Sequence, residues 1–175
     1  MNSIIRNAHL NDLDALLALY RKVAAIEGGL ARKKDEVTHV YITSFLEKSL
    51  HHGLIYVAAA EGTSNVIGEI HCYSPAIQVF SHVLSDLTIA VDPDHQGKGI
   101  GRMLFTKLLS TVINERPDIL RIELIARESN AQAISFYESL GFKSEGRFID
   151  RIQSVGGGFE ADIPMAWVRG REERG

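Results

Sequence analysis

The sequence predicts a mixed α/β (α+β) domain, a mostly antiparallel sheet of about seven strands with helices on both faces. Three observations predict it. Two apolar runs, 54–60 and 66–74, flank a short polar turn and read as a hairpin. A strand, a glycine-rich loop, a helix and a further strand follow between 85 and 126, the pattern of a crossover unit. Two long strand-like runs close the chain. Hairpins and a crossover in one chain give a mixed sheet with helices packed on it.

Each element has its own signal. "SIIRNA", Ser3 to Ala8, alternates weakly and reads as the first strand. Asn11 suits a helix N-cap, with Asp14 three residues on. Leu13, Leu16, Leu17, Tyr20 and Val23 then recur at helical spacing until Gly28-Gly29 stops them. A second helical pattern runs through Val37, Val40, Tyr41, Ser44, Phe45 and Leu50 and ends near Gly53. "LIYVAAA" and "VIGEIHCYS" form the hairpin around "EGTSN", and "SDLTIAV" (85–91) is the next strand. Ile100, Met103, Leu104, Leu108 and Val112 mark one face of a third helix, with Pro117 just past its end.

"LRIELIA" (120–126) is nearly continuous in apolar character, which suits a strand buried inside a sheet. "NAQAISFYESLGF" gives a short helix from Asn130 that Gly141 closes. Residues 142–155 and 159–168 form the last two strands, with Gly156-Gly157-Gly158 at the turn. Pro164 lies inside the second of them and predicts an edge, a bulge or a splayed segment there.

Composition narrows the function. The 175 residues suit one domain, 1–175, with a real core. Hydrophobic residues make up 45% and charged ones 23%, as in ordinary soluble proteins. A net charge of -3 and the lack of a basic stripe argue against nucleic acid as a partner. No uncharged apolar run approaches the length of a membrane span, and no signal-type stretch precedes Asp12. Cys72 is the single cysteine, read as a small core residue in a reducing, cytoplasmic setting. The histidine pairs His51-His52 and His71 with His82 lack metal-site spacing, so no metal is expected.

The chemistry concentrates in "VDPDHQGKGIG", Val91 to Gly101, directly ahead of the third helix. A helix start has N–H groups without intrahelical acceptors and a positive dipole end, and glycines let an anion approach closely. That is a phosphate site, with Lys98 or Arg102 adding charge; a ligand-free tight turn is the alternative. A P-loop fails because Gly99 follows Gly97-Lys98, and the dinucleotide fingerprint fails because Arg102 holds its last place. What remains is Gln96-x-x-Gly99-x-Gly101.

With these residues the chain resembles the GCN5-related N-acetyltransferases, whose pyrophosphate loop reads [RQ]-x-x-G-x-[GA]. "LTIAVDPDHQGKGIG" is similar to that family's strand-to-loop segment. "ESNAQAISFYESLGF" resembles its next motif at Asn130, Ala133, Phe136, Tyr137, Leu140, Gly141 and Phe142, and "IIRNAHLNDLDALLALY" resembles its usual start.

The resemblance implies acetyl-coenzyme A as co-substrate, held by Ile89, Ala90 and Val91 on the strand. Gln96, Gly97, Lys98, Gly99, Ile100, Gly101 and Arg102 would form the loop, and Asn130, Ala133, Phe136 and Tyr137 the following helix. It implies that the Ile89 N–H serves the developing oxyanion and that Tyr137 is the acid for the thiolate; a packing tyrosine is the alternative. Acyl transfer to an amine also needs a base. Asp86, placed on one strand face with Thr88 and Ala90 by alternation, and Glu69 on the preceding strand are the candidates, with a water chain or a plain strand-end carboxylate as alternatives. The acidic "DPDHQ" departs from what an anion wants, with Lys98 and Arg102 offsetting it.

The expected function is acetyl transfer from the thioester to a primary amine of a small molecule such as an amino acid or polyamine, by direct attack in a ternary complex. The run Gly158 to Met165 resembles the G-x-x-x-D-x-x-M of branches acting on small amines, and acidic Glu27, Asp35 and Glu36 would attract a cation or form a solvated face. Acetylation of a protein N-terminus or lysine is the second reading, and a non-catalytic coenzyme A sensor the third. A homodimer is expected from the family by analogy.

Overall fold

The computed structural model describes residues 3–26, 28–60, 62–63, 65–154 and 156–170. Glu27, the turn residues Glu61 and Ser64, and Val155 lie outside the described residues. The elements are β1 (Ser3–Asn7), α1 (Leu13–Ala24), α2 (His39–His52), β2 (Gly53–Ala60), β3 (Val66–Tyr73), β4 (Val83–Val91), α3 (Ile100–Glu115), β5 (Arg121–Arg127), α4 (Ala131–Ser139), β6 (Lys143–Ser144), β7 (Phe148–Gln153) and β8 (Phe159–Val168). The chain groups into two compact units, Met1–Tyr73 with Thr88–Pro117, and Ser74–Leu87 with Asp118–Gly175. No helix among the described residues is long and apolar enough to cross a membrane.

In the first unit β1, β2 and β3 pair antiparallel in sequence order, with Ile5 opposite Ala58 and Val57 opposite Glu69. The end of β4 follows β3, and the Asp92 N–H donates to the Ile67 carbonyl just beyond it at 2.9 Å. Helices cover both faces here. Tyr20 of α1 and Phe45 of α2 close over the side that carries Glu69 and His71. On the other side a Cβ at Gly68 would stand 2.9 Å from Ile100 Cγ2 and 3.1 Å from Leu104 Cδ1, so the first turn of α3 rests on bare backbone. Leu16, Tyr20, Ile42, Leu46 and Val57 are buried in one core cluster. The apolar spacing of each helix therefore does its expected work, except that Met103 is 40% exposed and Phe105 is buried in its place.

In the second unit β4 begins beside β5, parallel, through two pairs only, Val83 with Arg121 and Leu84 with Ile122. β5 and β8 pair antiparallel over seven residues, and β6 and β7 both pair with β8. Among the described residues the sheet strands number eight rather than about seven, because the one strand expected after α4 is two, β6 and β7. Pro164 sits opposite the break: β6 pairs with Ala166 and Met165, β7 with Asp162 onward, and the Gly146 backbone crosses the proline ring between them. Proline cannot donate to the ladder, so the partner strand is interrupted where it lies.

Two boundaries differ from expectation. Asn11 does not cap α1. Arg6 donates to both Asp12 oxygens (2.8 and 2.7 Å) and the His9 N–H donates to Asp12 Oδ2 (2.9 Å), which closes a 3-10 turn over Leu10–Asp12 and starts α1 one residue later. α1 also ends at Ala24, before the glycine pair, and Gly28 takes the positive φ (77°) of the turn that follows. α2 has a true cap, Thr38, whose Oγ1 accepts from the Tyr41 N–H at 3.2 Å.

Candidate active site

The glycine loop is built from its entrance inward. Asp92 is buried (8% exposed), accepts the Asp94 N–H at 2.9 Å and starts a 3-10 turn over Pro93–His95. Lys22 of α1 reaches across 70 positions to donate to both Asp92 oxygens (2.7 and 2.9 Å) and to Asp94 Oδ2 (2.6 Å). Burial alone would raise the Asp92 carboxyl, but the Lys22 bonds and the Asp94 N–H outweigh it and hold it below the usual carboxylate range. The two acids that oppose an anion are thus partly offset by one ammonium, from a residue that spacing could not reveal. Lys98 turns instead to the Asp94 carbonyl at 2.7 Å.

Gly97 and Gly99 then adopt φ of 73° and 81°, left-handed values that admit glycine readily, and a Cβ at either would point into open space. The first bond of α3 runs from the Met103 N–H to the Gly99 carbonyl at 3.0 Å. Among the described residues the N–H groups of Gly97, Lys98, Gly99, Ile100 and Gly101 have no protein acceptor. Gly101 faces β4, where a Cβ would stand 3.7 Å from Ile89 Cδ1. Ile100 is buried and anchors the turn, while Gln96 and Arg102 are exposed. The result is a row of amide donors at the positive end of a sixteen-residue helix. The dipole contributes about 0.3–1 kcal/mol toward an anion, and each N–H bond to a charged oxygen about 1.5–3 kcal/mol, so the donors dominate.

The base candidates differ sharply. Asp86 is exposed and has φ of 54°, so the strand twists there. The expected alternation fails at this point: Leu87 and Ala90 are both buried while Thr88 and Ile89 are half-buried. Glu69 is completely buried, and both its oxygens are engaged, Oε2 by the Tyr20 hydroxyl at 2.5 Å and Oε1 by His71 Nδ1 at 3.0 Å. Burial, and then the Glu69 charge, push the Tyr20 phenol well up, so it stays protonated and donates. Cys72 is fully buried and its thiol is also pushed up by burial, which removes it as a nucleophile.

The second unit holds Asp86, Asn130, Ala133, Phe136 and Tyr137; the first holds Glu69, Ile89, Ala90, Val91 and the loop from Gln96 to Arg102. Asn130 caps α4, its Oδ1 accepting the Ala133 N–H at 3.1 Å. Tyr137 is half-buried between Phe136 and Phe142, with ring centroids 5.8 and 6.3 Å away, and burial raises its phenol. Gly141 takes φ of 91° against Trp167, and Phe142 plugs the core. Asp162 is partly buried beside Arg151 (3.5 Å), with burial raising its carboxyl. Sequence reasoning missed Lys22, Tyr20 and His71. Lys22 and Tyr20 lie tens of positions from their partners, while His71 stands two residues from Glu69 on β3, where strand alternation puts both on one face; the one signal was a polar residue on an otherwise apolar helix or strand face.

An acetyltransferase (GNAT) domain family matches residues 51–144. The ribosomal protein bS18-alanine N-acetyltransferase of Salmonella typhimurium is 44% identical over 70 residues, 38% of this chain and 46% of that protein. The chain thus spans about half the length of the curated relatives it matches. Among solved structures, a ribosomal-protein-alanine N-acetyltransferase from Brucella melitensis superposes with a TM-score of 0.79 at 25% identity, covering 94% of this chain and 99% of that one. A phosphinothricin acetyltransferase from Sinorhizobium meliloti, solved with AcCoA, shares the fold at 18% identity and a TM-score of 0.79, covering 96% of this chain and 89% of that one. With the matched family segment running through the glycine loop and the Tyr137 helix, the chain belongs to the GNAT acetyltransferase family.

Proposed function

We propose that the protein is an acetyl-CoA-dependent N-acetyltransferase that moves an acetyl group to a primary amine of a small molecule such as an amino acid or polyamine. The observation that carries this reading is the row of unpartnered N–H groups from Gly97 to Gly101 ahead of α3. These donors bind the diphosphate of the coenzyme, and Ile89 to Val91 pair with its pantetheine arm. The amine attacks the thioester carbonyl directly; the Ile89 N–H stabilises the oxyanion, and Tyr137, kept protonated by burial, gives its proton to the departing thiolate. Asn130, Ala133 and Phe136 complete the coenzyme contacts. A cytoplasmic location fits the single cysteine.

A protein N-terminus is the second acceptor class, favoured by the names of the S. typhimurium and B. melitensis relatives. Purified protein is titrated calorimetrically with acetyl-CoA and then assayed for thiol release with amino acids, polyamines and Ala-initiated peptides. Binding with turnover of a small amine is expected. Turnover of peptides alone transfers the reading to protein acceptors, and binding without turnover on any amine leaves a sensor. Gly101→Glu sets a bulky carboxylate among the donors and abolishes binding; unchanged affinity would overturn the diphosphate assignment.

A further inference from the structure

The buried cluster around Glu69 has a form that a plain core lacks. His71 is 2% exposed, and its Nδ1 lies 3.0 Å from Glu69 Oε1 and 3.4 Å from the Tyr20 hydroxyl. The imidazole is stacked on Phe45 with centroids 4.1 Å apart and planes 6° apart, and it is parallel to Tyr73 within 3° at 6.1 Å. The ring is therefore fixed in plane and in tilt. Since the Tyr20 hydroxyl already donates to Glu69, the carboxylate draws the remaining proton to Nδ1, which leaves the lone pair on Nε2. No hydrogen bond to Nε2 is present among the described residues. Nor is Nε2 among the polar atoms sealed from solvent without a partner, which are Ser49 Oγ, His95 Nδ1 and Arg127 Nε. That nitrogen accordingly keeps contact with solvent through the small exposed margin of the residue.

We propose that His71, held by Glu69 and Tyr20, is the general base for the acceptor amine. This rests on the acetyltransferase reading and deepens it. A carboxylate with both oxygens occupied inside the core cannot meet the amine, but it can orient an imidazole that does. Placement agrees: β3 lies beside β4, and Ala90 of β4 belongs to the same buried cluster as Tyr20 and Phe45. His71 Nε2 takes one proton from the ammonium, R–NH3+, and passes it to water. The freed amine forms the C–N bond, the C–S bond breaks, and the nitrogen sheds its second proton as the thiolate gains one. The sum is R–NH3+ and acetyl-CoA giving R–NH-acetyl, CoA-SH and H+. Glu69 and Tyr20 are positioning residues in this scheme.

The titratable and charged groups around the ring are Tyr20 from α1, Tyr41 from α2, Glu69 and Tyr73 from β3, with Lys48 over Tyr73 (5.3 Å) and Arg32 over Tyr41 (3.9 Å). The experiment compares wild type, His71→Asn and Glu69→Gln in acetyl-CoA binding, thermal midpoint and the pH profile of kcat/KM. His71→Asn is expected to lower kcat about a hundredfold near neutral pH with acetyl-CoA affinity unchanged. Its acid limb then moves up to the pKa of the free amine. A folded His71→Asn protein with the wild-type limb and rate overturns the proposal. Nitrogen NMR of the wild-type ring decides independently of whether the variant folds: Nδ1–H with a bare Nε2 supports the base, and the opposite tautomer overturns it. Failure of wild-type protein to bind acetyl-CoA would instead sink the coenzyme reading, a result separate from the tautomer.

Discussion

Replacing Tyr20 by Phe removes one oxygen from the interior and little else. Tyr20 and Glu69 are both at 0% exposure, so no water replaces the lost donor at Glu69 Oε2. The ring keeps its packing on Phe45 (5.1 Å) and Tyr41 (6.1 Å), so no cavity beyond the hydroxyl forms. A hydrogen bond to a charged group contributes about 1.5–3 kcal/mol, and loss of a buried partner leaves its full desolvation cost behind. At roughly 2–4 °C per kcal/mol for a domain of this size, the melting midpoint falls by about 3–12 °C. Urea unfolding followed by far-UV circular dichroism gives the free energy directly. In a Glu69→Gln background the acceptor is neutral, and the same Tyr20→Phe change costs about 1 kcal/mol less. A Tyr20→Phe protein within about 0.5 kcal/mol of wild type, at equal m-value, would show that the hydroxyl is not a structural donor to a buried carboxylate.

Three further outcomes follow from the same geometry. Lys22→Met leaves Asp92 and Asp94 uncompensated beside the amide donors, so acetyl-CoA affinity drops about tenfold at low salt, the gap narrows at high salt, and adding Asp94→Asn recovers part of it; calorimetry showing no change in low salt refutes the role of Lys22. Tyr137→Phe lowers turnover about a hundredfold while acetyl-CoA affinity stays within about twofold, and equal turnover returns Tyr137 to packing. Burial alone would raise the Asp12 carboxyl, but the Arg6 and His9 bonds hold it below its usual range. Its folded pKa is the lower one, so the stability it gives is present above about pH 3.9 and disappears as pH falls through the folded value. Asp12→Asn is expected to flatten urea midpoints across that acid range, and an unchanged acid slope refutes it.

Much of the fold was legible because local spacing controls it. The apolar positions of α1 and α3, the hairpin runs of β2 and β3 and the glycines before α3 each act within a few residues. The same holds for Asn130, whose cap forms with a neighbour three positions on. Errors fell where a distant partner overrode the local rule. Arg6 drew Asp12 into a turn and displaced the cap expected at Asn11. Pro164 sits opposite the gap that split one expected strand into β6 and β7. The left-handed backbone at Asp86 broke the alternation that would have aligned it with Thr88 and Ala90.

The sequence by itself determined that a glycine-rich loop with unpaired helix-start amides stands between a strand and a helix, because glycine freedom and helix-start amides are properties of consecutive residues. Tertiary structure alone decided which charges act. It set Lys22 on Asp92 and Asp94, and it enclosed Glu69 beneath Tyr20. Coulomb and hydrogen-bond energies depend on separation in space and on burial, and chain spacing fixes neither for residues dozens of positions apart.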